Sequence, residues 1–169
     1  ELQIINKVNG EQLSLAMDGS TQYVLDKIDW DVPSVSFSTY RVPFQIGVSL
    51  TGIELGTRKP SITGYVISNV NGKEFSGKGW NEFLEAQLQD IEQKKYELNR
   101  VINPLQDIRI VVGDYFIDGR PSNAVKFSSS ESENNEVLCM FTIDVDCFSP
   151  MFRLSKGKQT VLAQTQHKF

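Results

Sequence analysis

The chain has 169 residues, enough for one well-buried domain and too few to require two. Its net charge is −4 at neutral pH and its basic residues are scattered, which argues against sequence-specific binding of nucleic acid. No apolar stretch approaches the roughly 20 residues that span a bilayer, so the sequence predicts a soluble domain without a membrane partner.

The first elements are predicted to be strands. Leu2–Val8 and Glu11–Met17 flank the dipeptide Asn9-Gly10, which fits a type I′ turn because both positions tolerate a positive φ. They are therefore expected to form a hairpin. Gln22–Trp30 follows, and its two sides carry apolar and polar residues alike, so the pattern leaves open which side faces a core.

Three further strands are predicted before residue 70. Ser34–Tyr40 alternates apolar and serine side chains, as a half-buried strand does. Ile46–Leu55 and Ser61–Asn69 are expected to pair with each other. The connection between them, Gly56–Pro60, has the composition of a tight exposed turn.

One helix is predicted at about residues 80–101. Its apolar residues recur every three, four or seven positions, as one helical face requires: Trp80, Phe83, Leu84, Leu88, Ile91, Leu98 and Ile102. Pro104 disfavours helical geometry at the residue before it and is expected to end the helix. At about 33 Å, such a helix is expected to lie across a sheet, with Trp80 holding it there.

Strands resume after the helix. They are predicted at Asp107–Val112, Tyr115–Ile117, Asn123–Ser128 and Val137–Phe148. The last has the cleanest alternation, with five residues expected to face inward: Cys139, Phe141, Ile143, Val145 and Cys147. The polar stretch 128–136 is predicted to be a loop, and residues 153–169 a C-terminal tail or a linker toward a second domain.

Together these elements predict a mainly β (α+β) fold for residues 1–152. The architecture expected is an antiparallel β-sandwich with one long covering α-helix.

The sequence offers little support for catalysis. The only histidine, His167, lies near the end of the chain and belongs to no nucleophile motif. Asp144 and Asp146 share one side of the last strand, but no second acidic cluster faces them. One histidine and two cysteines are fewer than the four ligands of a structural zinc site, so no metal or cofactor is predicted. The chain is expected not to be an enzyme.

Three aromatic residues leave a binding function open. Trp30, Tyr40 and Trp80 would suit stacking on sugars in a carbohydrate-binding or receptor-binding β-sandwich. Burial in the core is the favoured interpretation, because Trp80 shares the apolar helical face with Phe83 and Leu84.

The order of the elements resembles the N-terminal domain of siphophage distal tail proteins, over about residues 10–152. The features that carry the resemblance follow one another along the chain: a Gly-x-Arg turn in Leu55–Arg58, a helix with an Asn-Pro stop in Leu98–Leu105, a hairpin around Val112–Tyr115 and the ending Ser149-Pro150-Met151-Phe152. Ser149 departs from the pattern, since an acid is more usual before that proline.

The resemblance implies a structural protein of a phage tail tip or baseplate. It would form a hexameric ring, the distal tail hub, between the tail tube and the tail-tip or fibre proteins of a virion assembled in the host cytoplasm. A tail-tube-like or tail-terminator subunit is the close alternative. The stretch Ile46–Asn69 is the candidate hairpin that contacts a neighbouring subunit, and the alternative is that it is an ordinary core hairpin. The candidate interface residues are Ile46, Ser49, Thr57, Arg58, Lys59 and Ser61.

Overall fold

A computed structural model of the chain describes residues 1–71, 73, 77, 79–129 and 139–155. Its elements in chain order are β1 (Leu2–Asn6), β2 (Gln12–Ala16), β3 (Tyr23–Asp29), β4 (Val35–Tyr40), β5 (Ser49–Leu55), β6 (Ser61–Val66), α1 (Trp80–Val101), β7 (Ile108–Val112), β8 (Tyr115–Pro121), β9 (Lys126–Ser129), β10 (Cys139–Asp146) and β11 (Arg153–Leu154). Most of the predicted loop 128–136 and of the tail 153–169 falls outside the described residues.

Seven strands close into a β-barrel in the order β8-β7-β1-β2-β3-β6-β10. Neighbours run antiparallel except β2 and β3, which are parallel where Leu15 pairs with Tyr23. The ring is completed by a short seam, in which Val145 and Asp146 of β10 pair with Pro121 and Arg120 of β8. β9 and β11 lie outside this ring, on β10 and β8 respectively.

The barrel overturns the predicted β-sandwich with a long covering helix, although the mainly β class is correct. A sandwich and a barrel require the same alternation along each strand, because both bury one side and expose the other. The two architectures differ in their long-range pairing. Here the closing pair uses residues 120 and 121, which lie between the predicted strands Tyr115–Ile117 and Asn123–Ser128.

The barrel interior is filled by alternate residues of its seven strands. Phe141 on β10 has no exposed surface and faces Gly64 on β6. A Cβ atom at Gly64 would lie 2.6 Å from the Phe141 ring, so only glycine leaves room for this side chain. The other buried strand residues include Leu2, Ile4, Leu13, Leu15, Tyr23, Leu25, Ile62, Val66, Ile108, Ile110, Ile117, Cys139, Ile143 and Val145. The inward prediction for β10, including Cys139 and Cys147, is confirmed.

The β1–β2 hairpin is also confirmed, but its turn is longer than predicted. The backbone N–H of Asn6 donates to Glu11 O at 2.8 Å, so four residues form the loop instead of two. The Asn6 side chain holds this loop by accepting from the N–H groups of Val8 and Asn9. Gly10 has a φ of +74°, but Asn9 lacks the positive φ that a type I′ turn requires at both positions, so the predicted turn type is wrong.

The helix α1 occupies the predicted residues and closes one end of the barrel instead of lying across a sheet. Its backbone carbonyls accept from Asn6 Nδ2 at Val101 and from the Tyr23 hydroxyl at Lys94. The Lys94 ammonium donates to Ile67 O at 2.6 Å. Given the strand directions, the end of β1, the start of β3 and the end of β6 all lie at one end of the barrel. Only the C-terminal half of α1 is buried, at Ile91, Lys94, Leu98 and Val101.

The predicted pairing of Ile46–Leu55 with Ser61–Asn69 is wrong. β5 pairs with β4 in a separate two-stranded sheet, whereas β6 pairs with β3 and β10 in the barrel wall. The connection from β3 to β6 therefore leaves the barrel and returns to it. Since β3 ends and β6 begins at the end opposite to α1, this connection projects from the open end of the barrel.

Candidate interaction site

The two-stranded sheet β4–β5, with the tip that joins the strands, is called the arm (Val35–Leu55). Val35 pairs with Leu55 and Phe37 with Ile53, which places these four side chains on one face. All four are exposed, at 46–62%. The other face carries small or polar residues, with Ser36 opposite Glu54 and Ser38 opposite Gly52. The arm is therefore amphipathic, and nothing in the described chain covers its apolar face.

The tip of the arm extends the apolar surface. Phe44 and Ile46 are fully exposed, and Val42 and Val48 are about half exposed. Ten of the 23 large hydrophobic side chains exposed within the described residues lie between positions 35 and 55. Scattered exposed hydrophobics are ordinary on a protein surface, but a concentration of this kind marks an interaction surface.

The base of the arm is held by hydrogen bonds between its own two segments and by one pair of backbone hydrogen bonds to the residue after β10. Gly56 N donates to Ser34 O at 2.7 Å, which closes the two strands at their base. The Asp31 carboxylate accepts from the backbone N–H of Lys59 at 3.2 Å. Arg58 exchanges two backbone hydrogen bonds with Cys147, at 2.8 and 3.1 Å. The orientation of the arm at its base is thus set by the barrel.

An open cleft of about 440 Å³ lies at the base of the arm and is called the root cleft. Its lining is mostly apolar and comes from Trp30, Arg58, Val112, Tyr115 and Phe152. The Trp30 and Phe152 rings meet edge to face, 5.1 Å apart, and the Arg58 guanidinium lies over Phe152 at 5.0 Å from the ring centre. Arg58 Nε is buried and has no hydrogen-bond partner among the described residues.

Exposed apolar side chains continue from the root cleft onto the segment before and within β11. Tyr115 is 54% exposed, and Met151 is more exposed still. Leu154 lies on the same segment and is also exposed. The open end of the barrel therefore carries two apolar surfaces, the arm and the root cleft.

The residues predicted as a subunit interface are divided between these features. Ile46 and Ser49 belong to the arm, whereas Thr57, Arg58 and Lys59 lie at its base. Ser61 is the first residue of β6, and its hydroxyl donates to Asp144 at 2.9 Å. Their interface role stays a prediction. The sequence missed Phe37 and Ile53, because an alternating strand looks the same whether its apolar side is buried or uncovered.

The two candidate acids point to different partners. Asp144 accepts from Lys126 Nζ at 2.7 Å, and this hydrogen bond holds the pKa of its carboxyl below the ordinary value. Asp146 accepts from the Ser122 hydroxyl at 2.9 Å, and Lys59 Nζ lies 4.0 Å from it. Each carboxylate thus has a lysine and a serine hydroxyl as neighbours, an arrangement typical of surface ion pairs.

The three aromatic residues considered for sugar stacking lie in three separate places. Trp30 lines the root cleft, Tyr40 ends β4 in the arm, and Trp80 begins α1. Trp80 is 60% exposed and touches Phe83, with ring centres 5.6 Å apart. The expectation that Trp80 fixes the helix to a sheet is therefore wrong, and no common aromatic platform is formed.

A second pocket, of about 540 Å³, lies at the barrel end that α1 covers. Its lining is mainly polar and includes Gln12, Thr21, Tyr23 and Glu97. Burial, with the nearby Glu97 carboxylate, raises the pKa of Tyr23, so its hydroxyl stays protonated and donates to Lys94 O. The Tyr23 hydroxyl is therefore not a general base in this pocket.

Two absences hold for the residues that the structure describes. Within them, no three or more Asp, Glu, Cys or His side chains gather where they could hold a metal ion. In the same part of the chain, no helix has both the length and the apolar character that crossing a membrane requires.

No protein-family model matches the chain, and no curated protein matches it in sequence. The solved structures with a similar fold include two phage-related proteins. The Dit protein (gp 19.1) of phage SPP1, described as a paradigm of the hub adsorption apparatus in phages that infect Gram-positive bacteria, matches 90% of this chain at 13% identity, with a TM-score of 0.49. The chain spans about half the length of that protein, 51%.

The second similar structure is the tube-terminating cap of the anti-feeding prophage. It matches 90% of this chain and 87% of its own length, at 11% identity, with a TM-score of 0.44. Both neighbours are phage or prophage structural proteins, and the likeness concerns the fold alone.

Proposed function

We propose that the chain is a structural, non-enzymatic subunit of a phage tail that assembles into a ring. The ring would be the distal tail hub, with six copies between the tail tube and the tail-tip or fibre proteins, in a virion assembled in the bacterial cytoplasm. The position in the tail and the number six come from the sequence resemblance over residues 10–152. The observation that carries self-association is the arm.

An isolated two-stranded sheet is at best marginally stable in water. The arm has no third strand, and its apolar side chains Val35, Phe37, Ile53 and Leu55 are left exposed. Covering them would stabilise the arm as well as the complex. An uncovered amphipathic arm on a closed barrel is therefore the feature expected of a subunit that self-associates.

The area involved is large enough to support an interface. Full burial of a large apolar side chain removes roughly 60–120 Å² from water. The ten exposed side chains of the arm, at 43–106%, thus offer on the order of 500 Å². A stable interface takes about 800 Å² from each partner, so the arm would supply much of one.

Light scattering at several protein concentrations and two salt levels tests the proposal. We expect a discrete species near six chains that persists at high salt, because apolar contacts are not screened by ions. Phe37→Ala should shift the chain toward monomer, whereas the matched variant Ser36→Ala, on the polar face of the same strand, should assemble like the wild type. A strict monomer at every concentration would contradict the proposal.

A further inference from the structure

No residue of the arm lines the root cleft of its own copy. Trp30 and Arg58, which line the cleft, lie five residues before and three residues after the arm in the sequence. The arm leaves the barrel beside the cleft, and its apolar face remains exposed along its length. Each copy therefore carries two uncovered apolar surfaces that do not meet within it.

We propose that the apolar face of one arm docks in the root cleft of the next copy. This inference rests on the proposed self-assembly and names the two surfaces that would form it. The arm and the cleft are different surfaces of one chain, so the contact is heterologous, and each copy offers one donor and one acceptor. Repetition of such a contact closes a ring when the rotation between copies divides a full turn.

The side chains that line the root cleft are suited to bind the apolar face of the arm. Trp30, Tyr115 and Phe152 provide apolar walls for side chains such as Phe37 and Ile53. The buried Arg58 Nε lacks an acceptor among the described residues. The outer edges of a two-stranded sheet carry unpaired backbone carbonyls, and one of these would accept from the guanidinium group of Arg58 where it lines the cleft. The cleft therefore offers the incoming arm both apolar contact and a hydrogen-bond donor.

The occupant is a second copy because this chain supplies both halves of the contact. Either surface exposed alone would be open to solvent or to non-specific association. Docking covers both at once and makes the number of donors equal to the number of acceptors in a ring. A partner of another kind would leave one of the two surfaces uncovered on every copy.

Disulfide cross-linking between variants tests the pairing. Thr39→Cys places a thiol on the apolar face of the arm, and Met151→Cys places one beside Phe152 at the cleft. The natural Cys139 and Cys147 are buried, and burial raises the pKa of both thiols, that of Cys147 to about 11, so neither competes for oxidation.

We expect a disulfide-linked dimer when the two single variants are mixed and oxidised, and none from either variant alone. The double variant should give a ladder whose last step is the closed ring. Cross-linking of Thr39→Cys with itself would overturn the inference in favour of arm-to-arm contact. Assembly of the wild type without any mixed cross-link would overturn it and leave the proposed function standing. A monomeric wild type would contradict both.

A double-mutant cycle gives a second readout. Phe37→Ala and Phe152→Ala should each weaken the association about tenfold or more, and the pair together should cost clearly less than the product of the two. Fully independent effects would show that the two side chains do not meet. Monomer folding is checked by circular dichroism for each variant.

Discussion

The barrel and the arm are built from strands with the same alternation, yet they treat the apolar side in opposite ways. In the barrel, seven strands turn that side inward around Phe141, which has no exposed surface. In the arm, two strands leave it in water, and Phe37 is 62% exposed. The barrel strands bury their apolar side chains against one another, whereas no second layer packs on the apolar face of the arm within the described chain. The comparison separates residues that hold the monomer together from exposed residues that, in the proposed function, contact a neighbouring copy.

The largest effect is expected in the barrel. Phe141→Ala removes a fully buried ring opposite Gly64 and leaves a cavity, so the free energy of unfolding should fall by about 3–5 kcal/mol. Urea denaturation, at a concentration where the chain is monomeric, measures this change. A loss below about 1 kcal/mol would show that the barrel interior is not the stabilising core.

A smaller effect is expected from a polar contact on the outside of the barrel. The Asp118 carboxylate accepts from Arg109 at 2.7 and 3.0 Å and from Lys7 at 3.1 Å. The Arg109 hydrogen bond is the main cause that lowers the pKa of Asp118 below its ordinary value of 3.8. The folded state thus favours the ionised form, and the stabilisation present above the ordinary value is lost as the pH falls through the lowered pKa.

Asp118→Asn should accordingly reduce the free energy of unfolding by about 1 kcal/mol at pH 7. The difference from the wild type should shrink as the pH falls below 3.8. Denaturation of both proteins between pH 7 and pH 2 measures it, with Asp26→Asn as the control on an exposed strand position. A difference that stayed constant down to pH 2 would rule out the ion pair as its source.

The smallest effect on the monomer is expected in the arm. Phe37→Ala removes the same side chain as Phe141→Ala, but the ring is already mostly in water, so the free energy of unfolding should change by no more than about 0.5 kcal/mol. Denaturation under monomeric conditions checks this. A loss of unfolding free energy comparable to that of Phe141→Ala would mean that the arm is covered within its own chain. The distinction between the barrel and the arm would then be wrong.

Sequence patterns predicted what depends on near neighbours. The alternation of β10, the β1–β2 hairpin and the helix before Pro104 follow from local spacing. The ambiguous facing of Gln22–Trp30 also has a local cause, since β3 contains a bulge between Leu25 and Lys27 that shifts its register against β6.

The rest depends on contacts between distant residues. Whether β5 pairs with β4 or β6 is decided by strand order in space, which alternation does not encode. The barrel closes through two residue pairs at Arg120 and Pro121, too few to leave a signal. The root cleft joins Trp30, Arg58 and Phe152 from distant parts of the chain, so no sequence motif marks it.

Closure of the barrel has a consequence for the time course of folding. β1 can pair with β7 only after about a hundred intervening residues have been brought back. Such long-range pairing slows folding toward the millisecond-to-second range. The seam has only two residue pairs, as β2 and β3 also do, so backbone amides along the seam should exchange with solvent sooner than those beside Phe141.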